Sequence, residues 1–212
     1  EDTLNQNIHW LDDSKYPNKW FSDPFVFDYN ENTVWLFVEE YDYRYNKGRI
    51  AKLTVDRASW KIVECKILLD LHTHLSFPVI HRINGKVYVT PENNLSGEFD
   101  LYIYNEERDN LEKVKALVYK RLTDAVPFEL NGRWYLTTTE EPHPNGGLLD
   151  VYTSNFLMGP YTKLQSIQFK ENIARNAGLP FFFFVKLMRA AQESIYSYGK
   201  NLSFQAFNFD FD

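Results

Sequence analysis

The sequence predicts an all-β fold, a five-bladed β-propeller of which four blades can be read along the chain. A short motif recurs at intervals of 54, 47 and 53 residues, and an aromatic-rich hairpin follows each copy. Repeats of about 50 residues that encode successive strands and turns are typical of propeller blades. The composition agrees, since 17 Phe and 14 Tyr against 9 Gly and 9 Pro suit pleated, half-buried strands. The four copies are Ser22-Asp23-Pro24, Ser76-Phe77-Pro78, Thr123-Asp124-Ala125 and Asn176-Ala177-Gly178.

The hairpin turns are the clearest local signal. Asn84-Gly85 and Asn131-Gly132 each separate two runs of apolar and β-branched residues. Asn-Gly favours a type I′ turn because both central residues need a positive φ. Asn30-Glu31-Asn32 takes the same place in the first copy, whereas the fourth copy, residues 180–188, has apolar strands but no typical turn residues.

We expect residues 1–212 to form a single propeller domain. Its blades are predicted near residues 21–70, 71–120, 121–170 and 171–212, with residues 1–20 as a possible closing strand. Five blades at this period need roughly 250 residues, so the fifth blade is expected to be split or incomplete.

Charge and composition exclude several classes of partner. The net charge of -6 and the isoelectric point near 5.4 argue against nucleic acid and anionic membranes, which require a basic face. The sequence contains no run of 18 apolar residues, so no membrane insertion is predicted. The single cysteine, Cys65, is interpreted as a packing residue, and it leaves the cellular compartment undefined.

Hairpin pairing brings the polar residues of the repeats to one rim. Residues equidistant from a turn centre face each other across the two strands, and the inner strands of a propeller line its central channel. The predicted pairs are Asp23 with Glu39, Phe77 with Glu92, and Asp124 with Thr139.

A ring of carboxylates around one pocket suits sugar chemistry. It can supply a general acid of raised pKa, a base for water and acceptors for hydroxyl groups. Glu39 and Glu40 lie on opposite sides of their strand, so at most one faces the channel. The alternative is that Asp, Ser and Pro at these positions merely begin strands. The catalytic candidates are Asp23, Asp124 and Glu92, and the substrate-binding candidates are Glu39, Glu40, Phe77, Arg175, Arg189 and Gln192.

The histidines do not predict a metal site. His72 and His74 are two residues apart, and no third ligand follows at a recognisable spacing. We therefore predict no cofactor and interpret these histidines as loop residues near the rim. A structural Ca²⁺ between channel carboxylates is the alternative.

Seven short segments together carry a family resemblance. They are Asp23-Pro24-Phe25, residues 35–43, Lys47-Gly48-Arg49-Ile50, Leu75-Ser76-Phe77-Pro78, Pro91-Glu92, Arg189-Ala190-Ala191-Gln192 and Tyr198-Gly199. As a set they resemble the five-bladed propeller module at the N-terminus of glucosamine inositolphosphorylceramide transferases and of related bacterial surface-polysaccharide proteins. That module is similar to the glycoside hydrolase family 43 superfamily.

The resemblance implies roles for particular residues. Family 43 enzymes use an Asp base on the first blade, an Asp that tunes the acid on the third blade, and a Glu acid on the fourth. Asp23 and Asp124 match the first two positions. The fourth position here reads Arg175-Asn176-Ala177-Gly178 and contains no Glu. Glu92 or Glu193 can replace that acid only if it reaches the glycosidic oxygen.

The sequence therefore leaves three functional hypotheses. The first is a carbohydrate-active protein of the family 43 type that acts on a glycosidic bond. The second is a non-catalytic module that binds a glycan or presents it to a transferase domain during surface-polysaccharide or glycolipid synthesis. The third is a protein-interaction propeller.

Overall fold

The computed structural model describes residues 10–207, which form 15 strands in four antiparallel sheets. The sheets follow one another along the chain as the blades of a propeller, so the predicted all-β propeller is confirmed. Between residues 10 and 207 every named strand belongs to one of these four blades. The expectations for residues 1–9 and 208–212 lie outside the described part.

The first three blades have four strands each and the fourth has three. Blade 1 contains β1 (Lys19–Tyr29), β2 (Thr33–Asp42), β3 (Lys47–Asp56) and β4 (Lys61–Leu69). Blade 2 contains β5 (Ser76–Ile83), β6 (Lys86–Glu92), β7 (Phe99–Asn105) and β8 (Asn110–Val118). Blade 3 contains β9 (Leu122–Leu130), β10 (Arg133–Glu140), β11 (Leu148–Ser154) and β12 (Thr162–Gln168). Blade 4 contains β13 (Phe181–Phe183), β14 (Lys186–Glu193) and β15 (Asn201–Ala206).

The predicted Asn-Gly turns form as expected. Asn84 and Gly85 have φ values of 50° and 74°, and Asn131 and Gly132 have values of 53° and 76°. The fourth blade turns at residues 184–185, where Phe184 has a φ of 53°. A bulky side chain therefore occupies a left-handed position that glycine would fill without strain.

The strand pairing predicted from the turn centres is wrong by one residue in each of the first three blades. Ser22 faces Glu39, Ser76 faces Glu92, and Thr123 faces Thr139. In each blade a bulge places two residues of the inner strand opposite one residue of the second strand. The first bulge residues are Asp23, Phe77 and Asp124, with φ values of 50°, 47° and 43°.

The apolar cores lie between successive blades. Between blades 2 and 3, Leu101 and Leu136 are fully buried in one cluster, and between blades 1 and 2 Phe37 and Val89 share another. Burying such a side chain contributes roughly 1.5–3 kcal/mol. The cores thus fix the angle between blades and hold the inner strands around one axis.

The outer blades differ in how their free faces are covered. On blade 1, Leu11 packs against an apolar cluster, and Asp12 forms a parallel bridge with Lys61 of β4. On blade 4, Phe181 and Phe204 are 40% and 60% exposed. Residues 10–207 include no helix with the length and apolar character needed to cross a membrane.

Candidate functional site

The bulge residues of blades 1 to 3 lie at the same position on one rim of the propeller. Asp23, Phe77 and Asp124 each start the bulge that follows the first paired residue of the inner strand. Asp tolerates a positive φ better than most side chains, whereas for Phe it is a strained conformation. We call this end of the molecule the bulge rim.

Carboxylates of one blade bind the backbone of the next blade. Oδ2 of Asp23 accepts the N–H of Phe77 at 3.2 Å, and Oε2 of Glu92 accepts the N–H of Asp124 at 2.7 Å. In both cases the donor is the first bulge residue of the following blade. The bulges therefore present their amides toward the preceding blade, where a carboxylate satisfies them.

Asp124 is the centre of the polar network on the bulge rim. Its Oδ2 accepts hydrogen bonds from Nε of Arg175 at 2.6 Å and from Nε2 of Gln192 at 2.8 Å. Gln192 also donates to the carbonyl of Asn176 at 3.0 Å. Asn176 in turn donates through Nδ2 to the carbonyl of Asp124 at 2.8 Å. Blade 4 thus holds the acidic residue of blade 3 from both its side chain and its backbone.

Burial and neighbouring charge alter the pKa values at this rim. Burial, then Asp124 and Glu39, raise the pKa of Asp23 to about 7. Burial and the adjacent Asp124 also raise the pKa of Glu92 well above its usual value. Burial lowers the pKa of Arg175, but the contact with Asp124 outweighs it and the net pKa is raised. Carboxylic acids and a guanidinium cation therefore coexist in one network near neutral pH.

Glu39 joins the rim through a second set of contacts. Its Oε2 accepts from Oγ of Ser22 at 2.8 Å, and its Oε1 lies 3.2 Å from Nε2 of His74. Nδ1 of His74 accepts the N–H of Gly48 at 2.9 Å. This contact places the ring proton on Nε2, facing Glu39. A Cβ on Gly48 would lie 2.6 Å from Oε1 of Glu39 and closer still to the carbonyl of Leu75, so only glycine fits there.

Three of the substrate-binding candidates make mainly structural contacts. Glu40 is fully buried and pairs with Lys19 and Arg49. Phe77 is 4% exposed and packs edge to face on Phe25.

Arg189 is buried as well. It donates to the carbonyl of Ala174 and to Oε1 of Gln205, and burial lowers its pKa to about 10. The structure therefore brings together Asp23, Glu39, Glu92, Asp124, Arg175 and Gln192, and sets Glu40 and Arg189 apart.

Two loop residues at the rim, Tyr198 and Asn145, were not among the predicted site residues, although Tyr198 lies in a segment that carries the family resemblance. The guanidinium of Arg175 lies over the ring of Tyr198 at 5.0 Å, and its Nη1 donates to Oδ1 of Asn145 at 2.8 Å. Tyr198 is in the loop between β14 and β15, and Asn145 is in the loop between β10 and β11. No repeat or turn signal marks them, because their positions depend on loop conformation.

Residues 10–207 contain no group of three or more His, Cys, Asp or Glu side chains arranged to hold a metal ion. A calcium site between channel carboxylates stays a prediction. Burial raises the pKa of Cys65 to about 11, which suits a packing role on β4 rather than a nucleophile.

The rim offers acceptors, donors and one cation, but blade 4 supplies no carboxylic acid among the contacts described. A sugar hydroxyl can donate to Asp23 and accept from the guanidinium of Arg175. Glu92, the remaining acid, is 8% exposed and is bound to the backbone of Asp124.

The fold places the chain among the β-propellers that share the fold of glycoside hydrolase family 43. An exo-β-1,3-galactanase from Phanerochaete chrysosporium, solved with β-1,3-galactotriose, superimposes with a TM-score of 0.67 and 10% identity, over 91% of this chain and 47% of the galactanase. The chain belongs to the family described as "Glucosamine inositolphosphorylceramide transferase 1, N-terminal", whose sequence profile matches residues 7–210.

Further relatives agree with this assignment. An exo-1,5-α-L-arabinanase from a bovine ruminal metagenomic library has a TM-score of 0.65 and 11% identity, over 92% of this chain and 77% of the arabinanase. Glucosamine inositolphosphorylceramide transferase 1 of Arabidopsis thaliana is 29% identical over 198 residues, which is 89% of this chain. The rice protein of that name is 28% identical over 196 residues. The chain spans 26% of the length of each of these curated relatives.

Proposed function

We propose that the bulge rim binds a glycosyl unit without cleaving it, and that the propeller presents this glycan to a transferase. One observation carries the proposal. The carboxylate of Asp124 is occupied by Arg175 at 2.6 Å and Gln192 at 2.8 Å, so blade 4 contributes a cation and an amide where hydrolysis needs a proton donor.

The charges of the rim suggest what kind of sugar it binds. Four carboxyl groups, those of Asp23, Glu39, Glu92 and Asp124, share the rim with the guanidinium of Arg175, which lies nearest to Asp124 and Glu92. Such a site favours a ligand with several hydroxyl donors, and it also suits the ammonium group of an amino sugar. The curated relatives are named for glucosamine transfer, which supports testing glucosamine first.

Hydrolysis is the second candidate, and one specific observation favours it. The pKa of Asp23 is raised to about 7, which keeps part of this carboxyl group protonated at neutral pH. A carboxylic acid of this kind can act as a general acid if it reaches the leaving oxygen. On this alternative, Asp23 donates the proton and a second rim carboxylate activates water.

A glycan array combined with product analysis separates the two candidates. We expect saturable binding of glucosamine-containing glycans with no new reducing ends over extended incubation. Turnover that is abolished in Asp23→Asn would contradict the binding proposal and support hydrolysis. Asp28→Asn, an exposed carboxylate on the same strand, is the matched control.

We expect glucose to bind more weakly than glucosamine in calorimetric titrations, because the rim carries more carboxyl groups than cations. Equal affinity for both sugars would remove the argument for an amino sugar but leave glycan binding intact. Absence of binding to every glycan on the array would contradict the proposed function itself.

A further inference from the structure

A cleft of about 590 Å³ lies on the bulge-rim side of blade 3, next to the proposed site. The loop between β10 and β11 forms one wall, and the segment that follows β12 forms the other. Its volume is within the roughly 300–1,000 Å³ of typical small-molecule sites. The lining of the cleft includes Pro144, Asn145, Leu148, Gln168 and Asn172.

Hydrogen bonds within the loop hold the cleft open. Oγ1 of Thr139 donates to the carbonyl of Pro144 at 2.6 Å, and Gly146 N–H donates to the carbonyl of His143 at 3.0 Å. Across the cleft floor, Phe169 N–H donates to the carbonyl of Gly147 at 2.7 Å. A Cβ on Gly147 would lie 2.9 Å from the carbonyl of Phe169, so the two walls approach as closely as glycine allows. A preformed cleft lowers the entropic cost of binding.

Asn145 connects the cleft to the rim. Its Oδ1 accepts from Nη1 of Arg175 at 2.8 Å, and the same residue lines the cleft. Because Oδ1 is committed to Arg175, the NH₂ group of Asn145 is the part of its amide left to donate to a ligand. The guanidinium that faces Asp124 is therefore one residue away from the cleft, and a ligand longer than one sugar can reach both.

The lining of the cleft suits sugar rings. Asn145, Gln168 and Asn172 carry amide groups that can bind hydroxyl groups, and Pro144 and Leu148 supply apolar surface for ring faces. Nε2 of Gln168 donates to the carbonyl of Phe169 at 2.7 Å, which leaves Oε1 and one N–H of that amide for a ligand. A second cleft of the same volume lies at the opposite end of blades 2 and 3, where its lining includes Glu129, Trp134 and Met158.

We propose that this cleft is a second sugar subsite, so that the ligand is an oligosaccharide whose first unit sits at the bulge rim and whose further units cross blade 3. The proposal rests on the proposed function, because the first unit must bind at the rim. Amides at Gln168 and Asn172 bind hydroxyls of the further units, and Asn145 orients the junction between the two subsites.

The test compares ligands of increasing length. Two series are titrated by calorimetry, β-1,4-linked glucosamine oligomers and β-1,3-linked galactose oligomers, each of one to four units. In the unsubstituted chain we expect affinity to rise at least about tenfold from one unit to three, as two or three added hydrogen bonds permit. The double variant Gln168→Ala/Asn172→Ala should lose that rise and keep its affinity for the single sugar.

Controls separate failure of the subsite from failure of the function. Glu129→Ala, in the opposite cleft, should keep the rise with length. A single sugar that binds as tightly as three units, or a rise that survives in the double variant, overturns the subsite and leaves rim binding standing. If no member of either series binds the unsubstituted chain, both the rim function and the subsite are overturned. Gln168 and Asn172 are exposed, so we expect the double variant to fold. Melting curves check this.

Discussion

Nε of Arg175 donates to Oδ2 of Asp124 at 2.6 Å, and this pair joins blades 3 and 4 at the rim. The side chain of Asp124 is 3% exposed and that of Arg175 is 14% exposed, so the pair is largely shielded from water. Removing one partner of such a pair leaves the other charge buried and unpaired. The pair is therefore important both to the polar network of the bulge rim and to the position of blade 4.

We expect Asp124→Asn to destabilise the chain by roughly 3–5 kcal/mol, because it leaves Arg175 without its counter-charge. Denaturant unfolding measures the change. The double variant Asp124→Asn/Arg175→Gln should recover part of the loss, since it replaces the ion pair with neutral amides. If the two single effects simply add in the double variant, the pair does not couple the two blades.

Asp23→Asn should stabilise the fold in a pH-dependent way. The folded-state pKa of Asp23, about 7, lies above the ordinary value of 3.8, so ionisation opposes folding. The wild-type chain is free of this cost below pH 4 and bears it progressively as pH rises through 7, up to about 4 kcal/mol. Asn stays neutral and tolerates the positive φ.

The expected result is a gain in unfolding free energy at pH 8 that shrinks toward zero near pH 4. Asp28→Asn, on the same strand but exposed, serves as the control and should show no such pH dependence. A gain for Asp23→Asn that is equal at both pH values would show that ionisation of Asp23 does not cause it.

Gly48→Ala should destabilise blade 1 and weaken sugar binding together. The added Cβ would meet Oε1 of Glu39 at 2.6 Å and the ring of His74 at 2.9 Å, so both side chains must move. We expect the free energy of unfolding to fall by roughly 2–4 kcal/mol, because the added Cβ also clashes with the backbone of the β4–β5 connection. Gly85→Ala is the contrast, since its Cβ meets no atom within 4 Å and only its φ of 74° opposes the change.

Gly85→Ala should lower the free energy of unfolding by only about 1–2 kcal/mol and should leave sugar affinity unchanged. Equal losses at the two glycines would indicate that backbone conformation, not the close approach to Glu39, decides the outcome at Gly48. Thermal unfolding and calorimetric titration with glucosamine provide the two measurements.

Phe184→Gly should stabilise the fourth blade by up to about 1 kcal/mol. Phe184 has a φ of 53° at the first central position of its turn, and its side chain is 87% exposed, so the packing lost is mainly its edge-to-face contact with Phe183. Glycine removes the left-handed strain, although its greater entropy in the unfolded chain offsets part of the gain. Val185→Gly, at the neighbouring position, lacks a positive φ to relieve and should destabilise; a gain there as well would contradict this explanation.

Much of the fold follows from local signals in the chain. Asn84-Gly85 and Asn131-Gly132 specify their turns through backbone chemistry alone, and the spacing of the motifs specifies the blades. The register near the rim could not be predicted in the same way. A bulge is set by contacts with the next blade, such as that of Asp23 with the amide of Phe77. Counting residues from the turn of one hairpin does not take contacts between blades into account.

The order of the strands predicted that the strand residues of the rim lie together, whereas the contacts of the loop residues Tyr198 and Asn145 could not be predicted. Asp124 and Gln192 are on strands whose order fixes their position, and they meet at 2.8 Å. Glu40 was ambiguous because alternation along a strand cannot tell the channel from the interior of the blade. Tyr198 and Asn145 reach Arg175 through loops that carry no periodic pattern.

The shared bulge separates backbone architecture from side-chain chemistry. Blades 1, 2 and 3 place Asp23, Phe77 and Asp124 in the same backbone conformation although only two of the three are acidic. An exchange of side chain at one of these positions therefore changes the chemical character of the opening without altering the shape of the scaffold. In a propeller of this kind, substitutions at the bulge position of one blade can change which ligand groups are bound there, while the backbone of the other blades stays the same.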